Sequence, residues 1–362
     1  MDDFVHLPLK LYKNNPYYVP DMLSDIRDSL NPQKNKSFQF ADVQPYVAYR
    51  GNEPVGRVVA VVSRKSNDIW KNKNVRFSLI EFVDDAEVAD ALITVVEDFG
   101  REHGMDTIEG PMGITDFDKE GMLIEDFEQG GTFMEIWNPE YYGNHMERMG
   151  FGKAADWLQI RIDVPKEVPA RYKRVADYAR QEFGLRVVHK TAKDIYNGYG
   201  QKLFKLFNEA YAPLYGFSPF SEEQVDDYCR MYVPVLDLSL IPFIETPEGE
   251  LVGAAVVARD FSDGLRRSEG KLLPFGWYHL LKALKVSKSP KAQLMLIGVK
   301  PEMQGMGVNA IIFDYLIPVF NKLGITWCET GPQLENNTRE IGQWKPLHPQ
   351  MLKRRRVWTK KL

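Results

Sequence analysis

The sequence predicts a mixed α/β protein built from two similar halves, on three observations. Two β-rich hairpins share one turn chemistry, two apolar strands are each followed by an amphipathic helix, and each helix is followed by a short strand ending in Gly-Pro.

"PYVAYRGNEPVGRVVAVVSR" (45–64) reads as two strands around a Gly, Asn and Pro turn, and "IPFIETPEGELVGAAVVARD" (241–260) repeats the form. Both return strands open on a Val-Gly pair, Val55-Gly56 and Val252-Gly253. Downstream, "VRFSLIEF" (75–82) leads into "EVADALITVVEDFGREHG", and "AQLMLIGV" (292–299) leads into "VNAIIFDYLIPVFNKLG". Each helix has apolar residues at helical spacing and a C-capping glycine, Gly104 or Gly324. "MDTIEGP" and "ITWCETGP" then supply the short strands. Order and spacing agree over about 70 residues, the mark of an internal duplication.

The Pro-punctuated stretch "DVPKEVPARYKRVADYARQEFG" (163–184) separates the halves and continues into a charged helix. The expected domains are 1–165 and 166–362, with 166–184 as a linker helix. "LRVVHKTAKDIYNGYGQKLFKLFNEAY" reads as the first strand and helix of the second half. Each half is then expected to run strand, helix, hairpin, strand, helix, strand, helix, strand.

Composition narrows the function. A net charge of -4 and a pI near 6.0 lack the positive field that nucleic acid or an anionic membrane attracts, so neither partner is expected. Cys229 and Cys328 form no disulfide framework and the six histidines show no ligand spacing, so a reducing cytoplasm and no metal are expected. "MDDFVHLPLK" does not read as a signal peptide, and no segment approaches the ~18 uninterrupted apolar residues of a membrane span.

The chemistry concentrates in "VKPEMQGMGVNA" (299–310), where a strand hands over to a helix through two glycines. The amides of a first helical turn have no intrahelical partner, and the helix dipole favours anions there. Glycine keeps such a turn open and permits positive φ. The stretch lacks the third glycine of a dinucleotide fingerprint and the Gly-Lys-Ser/Thr of a Walker loop.

Val299, Pro301, Gln304, Gly305, Gly307 and the helix that follows resemble the acyl-CoA-binding motif of the GNAT N-acetyltransferase superfamily. The first half's "NPEYYGNHMERMGF" (138–151) resembles a helix and turn of the same family. The resemblance implies a fold of two tandem GNAT-like acyl-CoA N-acyltransferase domains. It also implies that Gln304, Gly305, Met306, Gly307, Val308 and Asn309 hold the CoA pyrophosphate, while Ile297, Gly298 and Val299 meet the pantetheine arm, with Asn336 and Asn337 close by. Glu329 at the next strand is the expected base, and Tyr211 and Tyr215 are expected at the acceptor cleft, with Tyr211 a catalytic candidate. The family's usual Tyr acid is absent, and Trp344 stands nearby. At the corresponding turn the first half has "FVDDAEV", placing Asp84, Asp85 and Glu87 where phosphates would be repelled. The first half therefore resembles a degenerate GNAT domain.

The expected activity is transfer of an acetyl group from acetyl-CoA, or of another acyl group, to a small-molecule or peptide amine. The alternatives are a non-catalytic acyl-CoA sensor or scaffold and a tandem-GNAT transferase using aminoacyl-tRNA or a long acyl chain. A long-chain user is expected to show a deep apolar tunnel. The insertion "RDFSDGLRRSEGKLLPFGWYHLLKALKVSKSPKAQ" (259–293) is a candidate cap over the acceptor pocket, and the acidic stretch 109–131 is a candidate for recognising a cationic amine.

Overall fold

The computed structural model describes residues 1–115 and 117–362. The first half contributes the hairpin β1 (Ala41–Arg50) and β2 (Glu53–Ser63), then β3 (Asn74–Phe82), β4 (Thr107–Gly110), β5 (Met122–Glu125) and β6 (Gly152–Asp163). The second contributes β7 (Arg186–Val188), β8 (Phe243–Glu245), β9 (Leu251–Arg259), β10 (Lys291–Val299), β11 (Trp327–Thr330), β12 (Gln333–Leu334) and β13 (Gln350–Lys361). Among the described residues these strands form one continuous sheet ordered β1-β2-β3-β4-β13-β6-β11-β10-β9-β8-β7.

That order contains an exchange. β13 lies against β4, with Trp358 opposite Gly110, and so closes the sheet of the first half. β6 lies against β11, with Cys328 opposite Ile162, and so closes the sheet of the second. The two exchanged strands are antiparallel neighbours along most of their length, with Arg355 opposite Trp157. Each half's sheet is thus completed by a strand encoded in the other.

The repeated Val-Gly pairs have a packing cause. A Cβ on Gly56 would lie 2.8 Å from Val88 and Leu92, on the helix Ala86–Glu102, and one on Gly253 would lie 2.3 Å from Val308, on the helix Val308–Leu323. In both halves the first turn of the helix after β3 or β10 rests on the hairpin at the glycine. Around these helices form two of the apolar cores, one with Val58, Phe77 and Leu92, the other with Val257, Ile311 and Phe320.

One feature departs from the expected element order. The first half opens on helices, Asp2–Leu11 and Leu23–Ser29, where the second opens on the strand β7. Phe4, Val5 and Leu7 of the first of these are buried, Phe4 and Val5 in one cluster with Val59 and Val61 of β2. The linker helix runs Ala170–Phe183 and packs on the helix Val308–Leu323, Tyr172 against Phe313. Among the described residues no helix is long and apolar enough to cross a membrane.

Candidate functional site

β10 pairs with β11 only from Lys291 to Leu294. A bulge at Met295 shifts its register against β9, and the strand continues to Val299 with β9 on one side alone. The freed backbone of Ile297 is held by a side chain. The Tyr211 hydroxyl donates to the Ile297 carbonyl at 2.9 Å and accepts from the Ile297 amide at 3.1 Å. Bulges re-aim a strand beside a site, and here the result is a gap between strands in which the Tyr211 hydroxyl takes both backbone groups of Ile297.

The gap leads to the glycine turn. Gly305 and Gly307 both take left-handed backbone, φ +84° and +86°, and Gln304, Gly305 and Met306 are exposed. Gly307 passes tightly over the linker helix, where an added Cβ would lie 3.0 Å from Val175 and Ala179, whereas one on Gly305 would meet open space. The helix Val308–Leu323 begins at Gly307 with no side-chain cap, which leaves its first-turn amides to an incoming anion. Gln304 folds back on the Val299 carbonyl, and Asn309 donates to Gln343 at 2.7 Å. Gly298 lies closely against Phe207.

The corresponding helix of the first half is already capped. The Asp85 carboxylate accepts from the Glu87 and Val88 amides and pairs with Arg50 at 2.9 Å, and Asp84 bonds His145. A pyrophosphate there would have to displace an anion that belongs to the protein. Calorimetric titration with acyl-CoA is accordingly expected to saturate at one molecule per chain, and a stoichiometry of two would overturn this assignment.

Between the halves, beside the gap, lies a cavity of about 1540 Å³. Drug-sized pockets run ~300–1,000 Å³. Its walls are mainly apolar: Val59, Ile114 and Trp157 come from the first half, Phe204, Tyr228 and Leu296 from the second. Tyr211, Asn337 and Glu340 stand on the same wall. Asn337 caps the short helix Thr338–Gln343 and bonds the Glu340 carboxylate at 2.8 Å. Burial pushes Glu340 up to about 7, well above an ordinary carboxyl, and its charge raises Tyr211 further after burial has done most of that. Sequence reasoning passed over Glu340, although Asn337-Thr338-Arg339-Glu340 has capping-box spacing.

Glu329 departs from its expected role. It is fully buried, does not line the cavity, and belongs to a charge cluster on the exchanged strands. One oxygen accepts from Lys353 at 2.7 Å and Gln159 at 3.1 Å, the other from Lys291 at 2.5 Å and Gln293 at 3.3 Å. Lys353 also holds Glu135, which takes a second bond from Arg355 at 2.8 Å. Burial and then Glu135 push Glu329 upward, but a carboxylate has about four accepting positions and all are filled. Removing one partner from such a cluster leaves an unpaired buried charge. Lys353→Met is therefore expected to lower stability by about 3–5 kcal/mol in denaturant titration, and an unchanged midpoint would remove the structural reading.

The remaining candidates divide. Tyr215 reaches the cavity wall but bonds buried Glu109 at 2.9 Å, tying the halves together. Trp344 is core, its ring N–H donating to Gln333 at 3.0 Å, and Asn336 is exposed. From the acidic stretch Asp118 and Glu120 line the cavity, and Asp118 accepts from the Thr115 amide at 2.8 Å. The insertion forms helices Ser262–Ser268 and Gly276–Leu281 over the cavity, with Leu265, Leu272, Leu280 and Leu284 in its wall. Among the described residues no group of side chains is placed to hold a metal ion.

A duplicated mixed sheet with a splayed strand and a glycine turn onto a helix is the tandem GNAT fold, and this chain has it. A tandem GNAT protein from the clavulanic acid biosynthesis pathway superposes with a TM-score of 0.53 over 99% of this chain and 93% of that one, at 14% identity. No family model matches the chain. In sequence it is 28% identical over 305 residues to the bacterial ceramide synthase of Caulobacter vibrioides (strain NA1000 / CB15N), covering 83% of this chain and 78% of that protein. It is 26% identical to Protein YghO of Escherichia coli (strain K12), covering 99% and 92%.

Proposed function

We propose that the chain is an acyl-CoA N-acyltransferase that joins an acyl group to an amine, at least one of the two carrying a long apolar chain. The observation that carries this is the junction of three parts: the uncapped glycine turn, the edge of β10 at Ile297 that no strand covers and that only the Tyr211 hydroxyl engages, and the large apolar cavity. The first suits a pyrophosphate and the second a thioester with its pantetheine arm. The third exceeds what acetyl and a small amine need. Each methylene withdrawn from water contributes about 0.8 kcal/mol, so such walls favour long chains over acetyl. The relative named ceramide synthase points the same way, because a ceramide is the amide of a long-chain amine.

In this reading the amine nitrogen attacks the thioester carbonyl carbon. The Ile297 amide and the Tyr211 hydroxyl, which bond each other in this structure, turn to the developing oxyanion as the thioester enters between them, and Glu340 takes the proton the nitrogen loses. The C–S bond breaks, the proton that Glu340 took from the nitrogen passes through water to the thiolate, and the products are an amide and free CoA thiol.

Purified protein offered acyl-CoAs from acetyl to palmitoyl, with short and long amines, is expected to release thiol at least tenfold faster when a long chain is present. Best turnover with acetyl-CoA and a short amine would reject the long-chain reading. Saturable CoA binding with no thiol release from any pair would leave a sensor.

A further inference from the structure

Exposed apolar side chains are not spread evenly over this molecule. Of the sixteen large ones among the described residues, seven fall between Leu272 and Val286, in the insertion that covers the cavity. Leu273 is 77% exposed, Phe275 70% and Val286 68%, with Trp277, Tyr278 and Leu281 near one half. A soluble surface rarely gathers so much apolar area in one segment.

The charges in the segment have one sign. Residues 270–290 contain Lys271, Lys282, Lys285 and Lys288 and no acid, in a chain whose net charge is -4. Lys282, Lys285 and Lys288 are exposed, and among the described residues no carboxylate pairs with them. This composition selects the occupant. Centres of protein interfaces are depleted in lysine, whereas segments that lie in a lipid headgroup layer interleave Leu and Phe with Lys and set Trp and Tyr at the boundary.

The position agrees. Leu272, Leu280, Leu284, Lys285 and Lys288 also line the cavity, so the segment is at once its wall and the exposed patch. Arg266 holds the insertion to the first half through the Tyr18 and Gly131 carbonyls, at 3.2 and 3.3 Å. An apolar chain leaving a bilayer at this point would enter the cavity without crossing water.

We propose that the outer face of residues 271–288 docks the protein on an anionic lipid bilayer, with the cavity mouth against the membrane. This runs against the sequence expectation of no membrane partner, which rested on the net charge, the absence of a membrane-length apolar segment and the small number of basic residues in this insertion. The proposal concerns binding rather than turnover, so it stands or falls apart from the proposed reaction.

The test is cosedimentation of the full chain with phosphatidylcholine vesicles, plain or containing about a third phosphatidylglycerol. Binding is expected to the anionic vesicles and to weaken with salt. Leu273→Glu/Phe275→Glu, at two positions that do not line the cavity, is expected to lose at least tenfold in partitioning while keeping the wild-type melting curve and its turnover of water-soluble substrates. Lys282→Ala is expected to lose roughly fivefold. Wild-type protein that ignores both vesicles would overturn the proposal. So would a double variant that binds as wild type does, or a wild-type dimer that this variant dissolves in the absence of any lipid binding.

Discussion

Gly305→Val is expected to reduce acyl-CoA affinity by at least 100-fold, about 2.7 kcal/mol, while the protein stays folded. The structure makes Gly305 a cleaner test than Gly307. A side chain at Gly307 would strike Val175 and Ala179 at 3.0 Å and disturb the linker helix, whereas one at Gly305 meets no protein atom within 4 Å. The valine would instead stand in the space before the helix amides and impose a branched side chain on a φ of +84°. Isothermal titration with acyl-CoA, beside a thermal melt, checks both halves of the expectation. Unchanged affinity in a folded Gly305→Val protein would remove the glycine turn from the site.

Glu340→Gln is expected to cut turnover by about 100-fold with little change in acyl-CoA affinity. Glutamine keeps the size of the side chain and its bond to Asn337 but cannot take a proton. The pH profile separates this from a packing effect. Burial holds the proton on Glu340 up to about pH 7, and only the ionised form is a base. In the wild type kcat/KM is therefore expected to rise about tenfold per pH unit below 7 and level off above it, and Glu340→Gln should lose that limb. A wild-type profile flat from pH 5 to 8, or a fully active Glu340→Gln protein, would exclude Glu340. Full activity in Glu329→Gln, measured per folded molecule, is the companion result expected from a carboxylate already spent on four donors.

What the sequence disclosed was local. The glycine turn is legible because its chemistry needs a few consecutive residues and a backbone that glycine permits. Asp85 is legible for the same reason, since a carboxylate at a helix start has few other uses. Glu340 was not, because a carboxyl becomes a base near neutrality through burial, and the wall that buries it is assembled from both halves. Glu329 was misjudged from the same cause in reverse: Lys353 and Glu135, far off along the chain, surround it with partners that its neighbours in sequence do not announce. The strand exchange was equally hidden. The patterns of β6 and β13 fit the closing position of either half, and nothing in a strand says which edge it will join.

That exchange also governs how the chain can come into being. β4 pairs at once with β3 but finds its second neighbour only when β13 has been made, about 250 residues further on, so at ~5–20 residues per second the first half waits roughly 10–50 s with a sheet edge bare. Bare edges are templates for the wrong strand. During that interval β6, already synthesised and antiparallel in habit, is the nearest substitute, and a first half that seized it would withhold it from β11. Synthesis of this protein thus carries an internal competition for β6, resolved only once both exchanged strands are present.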